Sequence, residues 1–238
     1  MTCIIGVVCE DGIVLIGDTK VKIGERASYE KKIIPVEGYE NLVVAAAGLL
    51  DIRNMFIEDI KNLPTLIKQG IIKVDPVRGF RGVSEDISRR LWEIYSSRYD
   101  DYKYNSAFRA FVCQKPITGK PLLFKISEMG TSTQVREYDI IGTGEQYAHL
   151  FLKPPYTGNA NMYGVAIIAT FIIILIDKYK IDETIGIEEG GSVQIWKFPN
   201  NGRSYEVNGS ELDDIMNEAR ERLEKFGVYM ITGNPKLD

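Results

Sequence analysis

A threonine follows the first methionine directly, and this pair is the first place in the chain where chemistry could occur. Because Thr2 has a small side chain, we expect a methionine aminopeptidase to remove Met1 and leave Thr2 as the first residue. Its free α-amine would titrate near about pH 7.7–8 and could act as a general base at neutral pH. The hydroxyl of the same residue is a nucleophile within reach of that base. The pair therefore predicts a threonine nucleophile at the amino terminus.

Three further positions could support such a nucleophile. Asp18 ends the second apolar run of the chain, Lys32 precedes the third, and Gly48 ends the fourth. Taken singly, they are typical of a turn aspartate, a solvated lysine and a glycine turn. Antiparallel pairing of the runs could bring all three close to Thr2, and the combination favours a catalytic group.

The elements that must position these residues follow from hydrophobic periodicity. Two apolar runs, 2–9 and 13–18, flank Asp11-Gly12, which predicts a hairpin. Further strands are predicted at 33–36, 42–47, 106–114, 121–127, 134–141 and 192–198, and helices at 50–62, 84–98, 162–180 and 211–226. This order predicts an α+β fold with helices on antiparallel sheets. Since no linker or repeat interrupts the sequence, we expect a single domain over 1–238.

Composition excludes several classes of function. The chain has 29 Lys+Arg and 33 Asp+Glu, so its formal charge is 29 − 33 = −4, which argues against a nucleic-acid partner. Three cysteines and one histidine leave little for a metal site, and we expect no metal and no cofactor. The chain opens on strand-like sequence without a charged secretory region, and an odd cysteine count makes no disulfide framework. These features predict a cytoplasmic protein.

One apolar segment, 162–176, resembles a membrane-spanning helix in composition. Its 15 uncharged residues would span roughly 22 Å as a helix, which is short of the hydrocarbon core of about 30 Å. We therefore predict a buried helix and no membrane partner. Because the segment is apolar nearly all round, we expect a second buried contact beyond the sheet, in a subunit interface.

The ordered set of Thr2, Gly17-Asp18-Thr19-Lys20, Lys32-Ile33 and Ala47-Gly48 resembles a known family. It is similar to the proteasome β-subunit group of N-terminal-nucleophile hydrolases, which includes the HslV-type peptidases. Gly142-Thr143-Gly144 looks like the Gly-Ser-Gly turn of that family. The resemblance implies a four-layer αββα sandwich, in which helices flank two antiparallel sheets, and a threonine peptidase.

The resemblance also implies roles for individual residues. The Thr2 hydroxyl would attack a peptide carbonyl while its α-amine accepts the proton. The Lys32 ammonium would lower the proton affinity of both groups, and Asp18 would orient Lys32. The backbone N–H of Gly48 would donate to the oxyanion, and Thr143 would retain the hydroxyl of the turn serine.

The sequence departs from the family at one point. The family places an Asp and a Ser before a Gly-Gly stretch, where they hold the terminal amine, but residues 186–191 contain neither. Glu188, Glu189 or Asp182 could substitute, and the sequence leaves the choice open. Ala46 lies where the family lines its specificity pocket, and this small residue would favour large apolar substrate side chains.

The resulting functional prediction is a threonine amidohydrolase that cleaves peptides or unfolded proteins through a Thr2 acyl-enzyme. We also expect a homo-oligomer, a ring or a dimer, and a possible ATP-dependent unfoldase as partner. Two alternatives remain open: a transpeptidase or ligase on the same fold, and a catalytically silent scaffold subunit. Cys3 lacks an evident histidine partner for nucleophilic catalysis, and we expect His149 to be structural or exposed.

Overall fold

Antiparallel strands and helices together form most of the described chain. The structure is a computed structural model that describes residues 2–23, 25–37, 41–48, 108–116, 119–127, 131–152, 160–189 and 191–232, together with Glu58, Asn62, Thr65, Gln69 and Arg89. The strands are β1 (Ile4–Val8), β2 (Gly12–Gly17), β3 (Lys20–Ile23), β4 (Arg26–Tyr29), β5 (Ile33–Pro35), β6 (Leu42–Gly48), β7 (Phe108–Gln114), β8 (Leu122–Ile126), β9 (Ser132–Gln134), β10 (Tyr138–Ile141), β11 (Gln194–Pro199) and β12 (Tyr205–Glu206). The helices are α1 (Glu145–Leu152), α2 (Met162–Lys178) and α3 (Ser210–Thr232).

The strands form two large sheets and one small one. The first sheet has the order β10-β1-β2-β11-β12, and the second has the order β5-β6-β7-β8-β9. The third sheet is the hairpin of β3 and β4. All strand pairs are antiparallel, which confirms the α+β prediction. The predicted hairpin around Asp11-Gly12 is also confirmed, since Val8 pairs with Ile13.

The first sheet is covered on both faces, and strand alternation shows how. Val14 and Ile16 of β2 lie in the core that the sheet shares with the helices. Ile13 and Leu15 point the other way and pack against residues of the second sheet, including Phe111. The described residues therefore form three layers in the order helices, first sheet, second sheet. The predicted helices at 50–62 and 84–98, which would form a fourth layer, lie almost wholly outside the described residues.

Helix α2 is the long apolar helix that the sequence predicted. Asn161 caps its amino terminus, because the side chain accepts a hydrogen bond from the N–H of Gly164 at 2.8 Å. Helix α3 lies against α2, and the rings of Phe171 and Phe226 meet edge-on at 5.9 Å between centroids. The second buried contact expected for α2 is thus supplied, at least in part, by the same chain. Within the described part of the chain, no helix is both long and apolar enough to cross a membrane.

Three element predictions were wrong in detail. Strand β4 was missed because its residues are all exposed and carry no apolar alternation, and its partner β3, which has only four residues, was missed with it. The predicted strand 134–141 is in fact β9 and β10, which belong to different sheets. Helix α3 continues through Gly227, which was predicted to end it. A Cβ atom at this position would lie 3.2 Å from the Tyr179 hydroxyl, so glycine allows the close approach of α3 to Tyr179.

Candidate functional site

The register of the first hairpin places Asp18 beside Thr2. Ile4 pairs with Gly17, so the residues just before β1 and just after β2 are neighbours. The N–H of Asp18 donates to the carbonyl of Cys3 at 3.1 Å, which continues the pairing by one residue. Local strand pairing therefore accounts for the approach of a threonine and an aspartate that are 16 positions apart.

Asp18 is the centre of a buried hydrogen-bond network. The Thr2 hydroxyl and the Cys3 N–H both donate to its Oδ1, each at 2.8 Å. The Lys32 ammonium donates to both carboxylate oxygens at 2.8 Å. The N–H of Gly186 approaches Oδ2 at 3.3 Å. One carboxylate thus joins the candidate nucleophile to the candidate lysine.

The charged side chain of Lys32 is buried from solvent. Its side chain and that of Asp18 are both fully buried, and the ammonium also donates to the carbonyl of Lys20 at 2.5 Å. A buried ammonium is stable only when it is paired and hydrogen-bonded, and these contacts meet that requirement. A fixed positive charge here would lower the pKa of a neighbouring amine or hydroxyl, because it disfavours added protons.

Thr143 lies on a turn that presses against Thr2. The N–H of Gly144 donates to the Thr2 carbonyl at 3.3 Å. Gly142 has a φ of 100°, and a Cβ atom there would lie 2.1 Å from the same carbonyl oxygen. Only glycine fits this combination of conformation and contact. The turn between β10 and α1 therefore fixes the main chain of Thr2 and places the Thr143 side chain nearby.

Asp182 lies beside this turn, where it contacts Thr143. Asp182 accepts hydrogen bonds from the side chain and the N–H of Thr184, at 2.5 and 2.9 Å. The hydroxyls of Thr184 and Thr143 are 3.4 Å apart. Burial acts to raise the pKa of Asp182, but hydrogen bonds from Thr184 and Thr143 hold that pKa below its usual range. The carboxylate therefore stays ionised beside Thr143.

Of the three carboxylates that could substitute for the Asp of the family pattern, Asp182 is the one that contacts Thr143. Glu188 and Glu189 are exposed. The carbonyl of Gly186 accepts hydrogen bonds from the N–H groups of Thr19 and Lys20, so the segment that ends at Gly186 lies against the site.

Gly48 is the last residue of β6, the strand beside β5. It has a φ of 135° and is half-buried. The N–H of Ala46 approaches the Lys32 carbonyl at 3.4 Å, which ties the end of β6 to the candidate lysine. Ala46 itself is buried. The oxyanion role of Gly48 and the pocket role of Ala46 stay predictions.

Cys3 is next to Thr2 but is unsuited to nucleophilic attack. It is completely buried, and its Sγ atom lies against the Gly144 backbone. Burial, with a further contribution from the Asp18 charge, raises the pKa of the Cys3 thiol far above its usual range. A protonated thiol is a poor nucleophile.

His149 belongs to a charged cluster at the edge of the first sheet. Asp139, Glu145 and His149 offer ligand atoms within 4.8 Å of one another. The two carboxylates already form ion pairs, Asp139 with Lys125 at 2.6 Å and Glu145 with Arg109. A metal ion at this cluster would have to compete with both cations.

Comparison with known proteins places the fold. Solved structures similar to this chain include Anbu (ancestral beta-subunit) from Yersinia bercovieri, with a TM-score of 0.73 and 13% identity over 100% of this chain and 99% of that one. They also include an Anbu (Gly-1) mutant from Hyphomicrobium sp. strain MC1, with a TM-score of 0.69 and 14% identity over 96% and 97% of the two chains. No family model and no curated protein matches the sequence. The chain therefore has an Anbu-like fold.

This result corrects the family named from the sequence. The motifs indicated the proteasome β-subunit group that includes the HslV-type peptidases, and that assignment was wrong. The structural neighbours are Anbu proteins, which are proteasome-like but distinct. The motifs cover only short stretches of the chain, whereas the likeness to the Anbu structures covers 96–100% of it.

Proposed function

We propose that the protein is an N-terminal threonine amidohydrolase that acts on peptide bonds once Met1 has been removed. The observation that carries the proposal is the buried network in which the Thr2 hydroxyl and the Lys32 ammonium share the Asp18 carboxylate. Hydrolases of this class use the terminal amine as base and the hydroxyl of the same residue as nucleophile. The proposed architecture is the four-layer sandwich, with the helices predicted at 50–62 and 84–98 as its fourth layer.

The α-amine of Thr2, and not Asp18, is the proposed base. Both oxygens of Asp18 are bonded to the Lys32 ammonium, and Oδ1 also accepts from Cys3. These contacts already engage both carboxylate oxygens, whereas the α-amine lies on the same residue as the hydroxyl. The free amine would titrate near about pH 7.7–8, and the Lys32 charge would lower that value. Asp182 and Thr143 would hold the amine by hydrogen bonds.

The proposed reaction has two steps, acylation of Thr2 and hydrolysis of the resulting ester. The Thr2 oxygen attacks the carbonyl carbon of the substrate, its proton passes to the α-amine, and the Gly48 N–H stabilises the oxyanion. The tetrahedral intermediate collapses, and the ammonium gives its proton to the leaving amine, which leaves an ester on Thr2. Water then attacks the ester with the amine again as base, which releases the acid and restores the hydroxyl.

Intact-protein mass spectrometry tests the proposal. The wild-type chain is treated with a threonine-directed β-lactone or epoxyketone, with Thr2→Ala in parallel. We expect loss of Met1 and one adduct on the wild type only. Thr143→Ser retains the hydroxyl of the supporting turn and serves as a control that should still be labelled. Retained Met1, or a processed Thr2 without an adduct, would favour the silent scaffold instead.

We propose further that the chain assembles with copies of itself and receives a peptide or an unfolded protein as substrate. The support is the Anbu-like fold and the exposure of apolar side chains on the helix layer, where Leu150 is 70% exposed. An isolated exposed leucine is ordinary, but Tyr163 and Tyr179 are exposed in the same layer. An ATP-dependent unfoldase that delivers the substrate is part of the same proposal.

A further inference from the structure

Strand β5 begins directly after the candidate lysine, Lys32, and its own sheet gives it little stabilisation. It has only three residues and forms the edge of the second sheet. Short edge strands have unpaired backbone groups on one side and tend to open locally. Ile33 is fully buried, so its unpaired N–H and carbonyl would be costly without a partner.

The side chain of Gln194 supplies those missing partners. Its Oε1 accepts hydrogen bonds from the N–H groups of Lys32 and Ile33, at 3.0 and 2.9 Å. Its Nε2 donates to the Ile33 carbonyl at 2.6 Å. A carboxamide carries the same donor and acceptor as a peptide group. Gln194 therefore acts on β5 as one residue of an additional strand would.

The position of Gln194 connects this contact to Asp18. Gln194 begins β11, where it pairs with Gly17, the residue before Asp18. It is 5% exposed, and its Nε2 also approaches the carboxylate of Glu206 at 3.2 Å, which orients the amide. One side chain thus fixes the main chain of Lys32 relative to the strand that delivers Asp18.

We propose that Gln194 is a positioning residue for Lys32 in the reaction of Thr2, an inference that rests on the proposed function. Gln194 makes no contact with substrate in this scheme. It holds the backbone from which the long lysine side chain extends, so that the ammonium stays at the distance from Thr2 that lowers the pKa of the amine.

The test is the pH dependence of Thr2 labelling by the β-lactone, measured for wild type and Gln194→Met. Methionine has a similar length but no amide. We expect the maximal rate of inactivation to fall about 10- to 100-fold, as small misplacements of catalytic groups do. The probe concentration at half-maximal rate should change less than about twofold, because binding is not altered. The midpoint of the pH profile should move upward.

Ile195→Ala is the matched control. Ile195 is the next residue of β11 and is fully buried, but it faces the helix layer. This variant should lower the melting temperature and leave the pH midpoint unchanged. Gln194→Asn, which keeps the amide on a side chain one methylene shorter, should be intermediate, and it replaces Gln194→Met if that variant does not fold.

Two results would overturn the inference: a wild-type pH midpoint in Gln194→Met, or an equal upward shift in Ile195→Ala. Failure of the proposed function has a different signature, since the wild type itself would take no label. Amide hydrogen exchange then tests the anchor by itself. Gln194→Met should accelerate exchange at Lys32 and Ile33 more than Ile195→Ala does, and equal exchange in the two variants would refute the anchor.

Discussion

At the scale of single residues, the pairing of Asp18 with Lys32 dominates the energetics of the candidate site. Both side chains are fully buried, so each charge depends on the other. The net value of such a pair is small, because desolvation offsets most of the attraction. Removal of one partner costs much more unfolding free energy, because it leaves the other charge buried without compensation.

We therefore expect Lys32→Met to lower the free energy of unfolding by about 3–5 kcal/mol. The double variant Lys32→Met with Asp18→Asn should lose less than the sum of the two single variants, because no charge remains buried. Urea unfolding of the four proteins at pH 7 measures the difference. Additive losses would show that the two charges do not depend on each other.

The cysteines give a second residue-scale prediction. Burial raises the pKa of Cys9 to about 12 and the pKa of Cys113 well above its usual value, and burial raises that of Cys3 also. In the unfolded chain, thiols ionise near about pH 8.5. The unfolded state then binds fewer protons, so the free energy of unfolding should fall as the pH rises above that value.

Urea unfolding below and above that pH measures the fall, and alkylation by iodoacetamide at pH 8, followed by mass spectrometry, tests the burial of the thiols. The native protein should take no label, and the urea-unfolded protein should take a label on Cys3, Cys9 and Cys113. Rapid labelling of native Cys3 would contradict the burial described above and would reopen the question of a thiol nucleophile.

At the scale of elements, the turn between β10 and α1 is the sharpest constraint on Thr2. Gly142 combines a φ of 100° with a Cβ site 2.1 Å from the Thr2 carbonyl oxygen. Gly209 also has a positive φ, 61°, but an added Cβ would meet nothing within 4 Å. Substitution of the two glycines therefore distinguishes the free-energy cost of backbone strain from that of a steric clash.

We expect Gly209→Ala to cost about 1 kcal/mol of unfolding free energy, which is the strain of the left-handed conformation. Gly142→Ala should cost more than about 3 kcal/mol, because backbone atoms must also move, and it should reduce labelling of Thr2. Thermal or urea unfolding gives the costs, and mass spectrometry gives the labelling. Equal costs would mean that the turn can shift away from Thr2 freely.

At the scale of the whole molecule, the open question is assembly. Helix α3 covers part of the apolar surface of α2, so the same chain supplies part of the second contact expected for that helix. Exposed apolar side chains remain elsewhere in the helix layer, on α1 at Leu150 and beside the end of α2 at Tyr179.

Light scattering after size exclusion at micromolar concentration should give a mass above the 26.9 kDa of one chain. Leu150→Glu should lower that mass if the helix layer forms the contact, because a carboxylate would have to be desolvated there. Tyr205→Glu, in the exposed edge strand β12, is the control for the added charge. A wild-type mass of 26.9 kDa at every concentration tested would refute assembly.

Sequence alone determined the features that depend on local pattern. The hairpin around Asp11-Gly12, the apolar helix after Asn161 and the α+β class all follow from periodicity and turn chemistry. The predicted approach of Asp18 to Thr2 came from the same source, since one hairpin with one register joins them. The single domain over 1–238 and the roles of the site residues remain predictions.

Only the tertiary structure decided the contacts between elements distant in sequence. Asp182 reaches Thr143, and Gln194 reaches Lys32 from the other sheet, through loops and layer packing that no residue spacing encodes. The likeness to the Anbu structures was found in the same way, because it rests on the fold of the whole chain and the sequence identity is only 13%. Local sequence fixes which residues can pair along a strand, whereas packing of the layers fixes which strands meet.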